Sequence, residues 1–174
     1  MSLGQAIILL VALQRLAELI YARRNTQRLL TAGGKEAGSA HYPLFIILHG
    51  SWLLALFVLV PADAPIHWGL IGLFVALQMG RIWVIASLGG RWTTRVITLP
   101  NAPLVRRGPY RWLRHPNYLI VAAEIAVLPL AFGAWQIALV FTALNLPLLA
   151  YRIRVEDRAL SAVRQDGVTP SSVS

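Results

Sequence analysis

Apolar residues in this chain fall into five runs, at 2–21, 42–60, 66–88, 117–132 and 135–151, each bounded by polar or turn-forming residues. Crossing about 30 Å of hydrocarbon takes about 20 residues of helix. The first three runs meet that length, and each predicts a membrane-spanning helix. The last two are shorter and carry Pro129 and Pro147, so they are expected to be kinked or packed around a cavity. Only Gly133-Ala134 separates them, which predicts a tight helical hairpin. The stretch 22–41 is expected to continue the first helix to Leu30, before Gly33-Gly34 stops it. The stretch 89–116 is too long for a turn and too polar to span. Its breaks at Gly89-Gly90, Pro100, Pro103 and Gly108-Pro109 predict a structured, partly extended surface loop. The tail 167–174 is expected to be disordered.

Composition agrees with this pattern. Of 174 residues, 57% are hydrophobic and only 13% charged, and the mean hydropathy is +0.61. That excludes an ordinary soluble domain and predicts one membrane-embedded, all-α domain over 1–174. The first apolar run has neither a basic leader nor a small-residue cleavage site, so it is expected to be retained. There are no cysteines, which excludes disulfides, thiolate nucleophiles and Cys-ligated metals. The net charge of +9 comes from sixteen Lys/Arg, of which all but Arg15 and Arg81 lie in 22–41, 89–116 and 152–174. By the positive-inside rule these segments face the cytoplasm, with the N-terminus outside. A bacterial inner membrane is the expected location. So basic a face reads as contact with anionic lipid rather than nucleic acid.

Arg15, Glu18, His49, Arg81 and Glu124 lie inside the apolar runs, with Gln14, Gln78 and Asn145. All fall in the half of their span nearer the basic segments. Ionisable groups at such depth usually face a cavity or each other. One reading has the two arginines snorkelling to the inner interface, neutralised by Glu18 and Glu124. A compatible reading is a polar chamber open to the cytoplasmic leaflet.

Two polar clusters bracket the hairpin. The first is Gly108-Pro109-Tyr110-Arg111-Trp112-Leu113-Arg114-His115-Pro116-Asn117-Tyr118. A proline suits the first turn of a helix, and His115 and Tyr110 then lie beside helix-start N–H groups that attract carboxylates and phosphates. An interfacial belt of aromatic rings and arginines explains the same residues without any ligand. In the second cluster, Arg152 and Glu156 are four apart and share a helix face, so an ion pair is the default and a ligand contact the alternative. The four histidines, His41, His49, His67 and His115, show no paired-ligand spacing, and no metal is expected. A soluble dinucleotide or P-loop site is excluded by the absence of both glycine motifs.

Taken together, Gly108-Pro-Tyr-x-x-x-Arg-His-Pro-Asn-Tyr118, the hairpin, and Arg152-x-x-x-Glu156-Asp157 resemble the isoprenylcysteine carboxyl methyltransferase family and the related phospholipid methyltransferases. The resemblance covers about residues 89–160. It implies S-adenosylmethionine bound at the cytoplasmic surface between the loop and the last two helices. The cofactor-facing residues it implies are Pro103, Leu104, Val105, Tyr110, His115, Pro116, Asn117, Tyr118 and Glu156, with Arg152 facing the methyl acceptor. The family often has a Glu-Glu pair where this chain has Glu156-Asp157, and its larger members have a longer C-terminal segment over the cofactor. Arg91-Trp92-Thr93-Thr94-Arg95 resembles the small bacterial members, some of which methylate alkylpyrone-type lipids.

The expected reaction is direct methyl transfer to an enol, phenol or carboxylate oxygen of a lipophilic substrate. Alignment and desolvation supply most of the catalysis. Arg152 is expected to hold the acceptor oxygen, and Glu124 or Glu18 to position the acceptor or take its proton. The alternative of another class is a non-catalytic permease or assembly factor that contacts lipid through its basic face. The pattern leaves the oligomeric state open.

Overall fold

The fold is taken from a computed structural model that describes residues 1–99, 102 and 105–166, with side chains to Ala162. The expectations for Pro103, Leu104 and the tail 167–174 lie outside the described residues. In order, the regular elements are α1 (Leu3–Thr31), β1 (Lys35–Ala37), α2 (Tyr42–Leu59), α3 (Trp68–Leu88), β2 (Val96–Thr98), α4 (Pro116–Ala131) and α5 (Trp135–Asp166). Short 3-10 turns at Ser39–His41, Gly89–Arg91 and Gly108–Arg111 join them. The class is all-α, as the hydropathy pattern predicts.

α1, α3, α5 and α2 with its preceding turn are long and apolar enough to cross a membrane, and α4 is a shorter apolar helix. Large apolar side chains such as Leu10, Ile47, Leu54, Val58, Met79 and Leu139 stand exposed on the outside of the bundle. In water that would be unfavourable, but it is the surface a lipid-facing helix needs. α4 is the central helix, packed closely against α3 on one side and α5 on the other, while α2 closes on α5 and α1 on α2. The buried core runs through Ile8, Trp52, Leu56, Ile125 and Leu128. Gly133 turns the α4–α5 hairpin with φ +70°. His67 N–H donates to Ala131 O at 2.8 Å, which ties the start of α3 to the end of α4.

Two features extend beyond the five apolar runs. α5 runs unbroken through Pro147 and past residue 151 to Asp166. Its hydropathy falls where the chain leaves the apolar zone, but the helix continues because Arg152 and Val155 still have packing partners. The loops also form a two-stranded antiparallel sheet, with Lys35 opposite Thr98 and Ala37 opposite Val96. Three-residue strands carry too little alternation to be legible in the sequence. The sheet is secured by Arg95, whose Nη1 lies 3.0 Å from a Glu36 carboxylate oxygen. Gly38 (φ +65°) lets this corner approach α5, because a Cβ there would meet the His41 ring and Val155.

The ionisable groups inside the helices form one network. Arg81 Nη2 lies 2.7 Å and Arg15 Nη1 2.9 Å from Glu18. The same arginines reach Glu124 at 3.4 and 2.9 Å. Gln78, with its amide donating to Glu124 Oε1 at 3.0 Å, closes the group. Two cations and two anions therefore neutralise one another between α1, α3 and α4. The arginines pair inside the bundle instead of reaching out to its rim. Removing one member of a buried pair costs about 3–5 kcal/mol, because a charge is left unpaired. Arg81→Leu should therefore sharply lower the melting temperature in lipid nanodiscs. The double variant Arg81→Leu/Glu124→Leu, which leaves Arg15 with Glu18, should recover much of the loss. A double variant no more stable than the single one would contradict the network.

Candidate active site

α1 meets α3 and α4 mainly through these long side chains, and the space it leaves is a cavity of about 760 Å³. The cavity extends from Glu156, Asp157 and Tyr110 at the loop-bearing end to Arg15, Glu18 and Arg81 among the helices. It combines a polar mouth with an apolar middle formed by residues such as Leu16, Phe45, Leu53 and Leu149.

The mouth is built by docking the segments 89–99 and 105–115 onto the helices. Asn25, fully buried on α1, donates from Nδ2 to Trp92 O at 2.9 Å and to Gly89 O at 3.3 Å. Tyr21 stacks on Trp92 with ring centroids 6.0 Å apart. Farther along, Arg107 Nε donates to Ser87 O at 2.6 Å, which fixes the loop to the end of α3. Gly108 has φ +58°, and a Cβ there would collide with the Ser87 side chain and lie 3.2 Å from Trp83 Nε1. Glycine is thus required twice, for backbone conformation and for close approach. Tyr110 then lines the cavity within electrostatic reach of Glu156. Its burial, reinforced by that carboxylate, holds the phenol above its ordinary range.

Arg152 and Tyr118 form the hub of the mouth. Arg152 Nε donates to Tyr118 Oη at 2.9 Å, and Nη2 donates to Thr94 O at 2.6 Å. The Tyr118 hydroxyl in turn donates to Glu156. Thr94 is held a second time by Tyr42, with hydroxyl oxygens 3.1 Å apart. α2, α4, α5 and the loop therefore converge on one buried guanidinium. Among the described residues no hydrogen bond engages its Nη1.

His115 starts α4 without a side-chain cap, and Pro116 occupies the first turn. The imidazole stacks on Tyr118, with centroids 5.5 Å apart. It faces two carboxylates, with Nε2 3.3 Å from Asp157 and Nδ1 3.8 Å from Glu156. Asn117 Oδ1 is buried without a partner among the described residues.

Among the predicted site residues, Val105, Tyr110, His115, Asn117, Tyr118, Arg152 and Glu156 line this one cavity. Pro116 does not line it and serves as the helix start. Glu124 lies behind the wall, committed to Arg15 and Arg81, while Glu18 does line the cavity. Sequence reasoning did not single out Asp157 as a partner of His115, nor the Thr93–Thr98 wall. Asp157 was signalled by its place beside Glu156, but the wall depends on a strand pairing between distant loops.

Residues 70–162, more than half of the chain, match the model of the isoprenylcysteine carboxyl methyltransferase (ICMT) family. The chain belongs to that family. It is, in general terms, a membrane methyltransferase, and its apolar helices are those of an integral membrane protein. The matched region contains the loop, the hairpin and the Arg152–Asp157 cluster, while α1 and α2 complete the cavity from outside it. Uncharacterized protein YpbQ of Bacillus subtilis (strain 168) is 38% identical over 158 residues, covering 88% of this chain and 94% of that protein. An uncharacterized protein of Haemophilus influenzae (strain ATCC 51907 / DSM 11121 / KW20 / Rd) is 28% identical over 144 residues, covering 79% and 83%. No solved structure matches significantly.

Replacing Gly108 by valine should displace the loop from α3 and leave the helices in place. Trypsin should then cut after Arg106 and Arg107 several-fold faster, with helical circular dichroism unchanged. Wild-type cleavage kinetics in the variant would contradict the docking described.

Proposed function

We propose that this protein is an S-adenosylmethionine-dependent O-methyltransferase whose acceptor is a lipophilic molecule drawn from the membrane. The observation that carries the reading is the one cavity, polar at its loop-bearing mouth, where Glu156 and Asp157 stand among several arginines, and apolar in its middle among the helices. Its volume lies within the range of small-molecule sites.

The residues at the mouth fit the cofactor by chemical type. Glu156 and Asp157 suit an ammonium group and ribose hydroxyls, and the faces of Tyr110 and Tyr118 suit a sulfonium. The buried Asn117 Oδ1 is an acceptor with no donor among the described residues, which suits an N–H such as an adenine amine. His115 is already turned toward two carboxylates, so in this proposal it fixes Glu156 and Asp157 rather than binding a carboxylate itself. The cofactor, when bound, supplies an electrophilic methyl group on its sulfonium.

The chain's own contribution is orientation, charge and exclusion of water. Arg152 is held by Tyr118 and Thr94, and its Nη1 remains to grip the acceptor oxygen and favour its anionic form. Because the guanidinium is fixed before the acceptor arrives, little ordering is left for the reaction itself. Glu124, locked between two arginines, is assigned a positioning role through the charge network. The acceptor class is an alkylpyrone-type polyketide lipid or an isoprenylcysteine-like carboxylate. The mouth faces the cytoplasm of a bacterial inner membrane and the N-terminus faces outside, a reading supported by the basic segments.

Binding of tritiated S-adenosylmethionine to the protein in nanodiscs tests the cofactor assignment. Saturable binding is expected, weakened about tenfold or more by Glu156→Gln, which removes a charge while keeping the shape. No saturable binding to the wild type would overturn the methyltransferase proposal and leave a non-catalytic lipid-contacting role.

A further inference from the structure

The inner end of the cavity contains a group that the transfer chemistry above does not use. His49 lies on α2, seven residues beyond Tyr42, about 10 Å deeper along the helix. A side-chain stack leads to it from the mouth. Arg152 Cζ is 5.0 Å from the centre of the Phe45 ring, and that ring is 6.4 Å from the imidazole of His49.

His49 Nδ1 is 2.8 Å from Phe45 O. A carbonyl oxygen can only accept, so Nδ1 carries the hydrogen. A neutral imidazole that donates from Nδ1 presents Nε2 as a lone-pair acceptor. Among the described residues no hydrogen bond engages Nε2, and the ring lines the cavity. Arg15, Glu18 and Arg81 line the same end. With Glu124 behind them these groups balance, two positive against two negative, and their hydrogen-bonding atoms are largely engaged with one another. The balance leaves no surplus anion to hold an imidazolium and no surplus cation to hold an anionic ligand.

We propose that this inner end is a second subsite, which reads a neutral hydrogen-bond-donating group, a hydroxyl, on the lipid through His49 Nε2. The proposal rests on the reading that the cavity takes a lipophilic acceptor. It adds that the acceptor carries a hydroxyl on the membrane side of Phe45, and that an anionic headgroup is disfavoured there. A donor placed against Nε2 forms its bond away from bulk solvent, whereas an apolar ligand group there leaves the acceptor unpaired. Discrimination therefore comes from the missing donor as much as from the added bond.

Three amphiphiles of matched chain length, 4-dodecylphenol, its methyl ether 4-dodecylanisole, and dodecanoate, separate these alternatives in nanodiscs containing the full-length protein. Saturable retention of radiolabelled 4-dodecylphenol is measured with each as unlabelled competitor. For the wild type, 4-dodecylphenol should compete about tenfold better than the ether; in Arg152→Gln, where the mouth can no longer hold a carboxylate, dodecanoate should compete no better than the ether. His49→Phe should abolish the preference, and His49→Gln, whose amide oxygen can accept, should retain part of it. In protein labelled with 15N-histidine, the phenol should shift the Nε2 resonance of His49 and the ether should not. Equal competition by phenol and ether in the wild type, stronger competition by dodecanoate than by phenol in Arg152→Gln, no saturable phenol retention, or a preference surviving in His49→Phe would each overturn the subsite. S-adenosylmethionine binding, measured on the same preparations, keeps the two readings apart. Cofactor binding without phenol preference removes the subsite alone, and phenol preference without cofactor binding removes the methyltransferase reading alone.

Discussion

The neutral quartet of Arg15, Glu18, Arg81 and Glu124 is the constraint around which the bundle is arranged. Four ionised groups among apolar helices are tolerable only when each faces an opposite charge at hydrogen-bonding distance. That requirement fixes the rotation of α1, α3 and α4 about their axes, because Arg15 and Glu18 must face Arg81 and Glu124 together. It also sets the spacing of α1 from the closely packed pair of α3 and α4. Arginine and glutamate are long, so helices joined through them stand farther apart than helices joined through leucine and alanine. The cavity lies in the gap that this spacing leaves. An apolar substitute for the quartet would let the helices close and fill the space that a ligand needs.

A second polar cluster performs the corresponding task at the mouth. Arg152 connects Tyr118 on α4, Thr94 in the loop and, through the hydroxyl of Tyr118, Glu156 on its own helix. Since Arg152 lies beyond the apolar part of α5, the helix has to continue out of the apolar zone to bring Arg152, Glu156 and Asp157 to the loop. The small β1–β2 sheet and the Asn25 contacts then press the loop down from the other side. The 91–99 segment thus forms one wall of the cavity.

Much of this was legible in the sequence because lipid imposes a coarse rule. Lengths of apolar chain mark the helices, and each of the five expected spans contains an observed helix. The charged residues inside the spans were legible as a set in which Glu18 and Glu124 neutralise Arg15 and Arg81, but not which arginine meets which glutamate, since each arginine reaches both. The Tyr118–Glu156 proximity followed from two polar clusters placed on either side of a two-residue hairpin. Other features depended on contacts between distant loops. Nothing local in Val96–Thr98 announces a partner at Lys35–Ala37, and no periodicity marks Thr93 and Thr94 as a cavity wall. The role of Glu124 changed for a related reason, because its depth in the helix was readable but not its position behind the cavity wall. The tautomer of His49 is fixed by one backbone carbonyl, Phe45 O, which only the folded helix brings to it.

The central claim is that one cavity joins a water-facing cofactor mouth to a membrane-facing acceptor pocket. The most direct measurement is transfer of label from methyl-tritiated S-adenosylmethionine into organic-extractable material. It would use nanodiscs made with lipids from a bacterial membrane extract and would compare the wild type with Arg152→Gln. The account predicts time-dependent, chloroform-soluble tritium with the wild type and a loss of about a hundredfold or more in the variant. Label that remains wholly in the aqueous phase, or equal transfer by the two proteins, would contradict it.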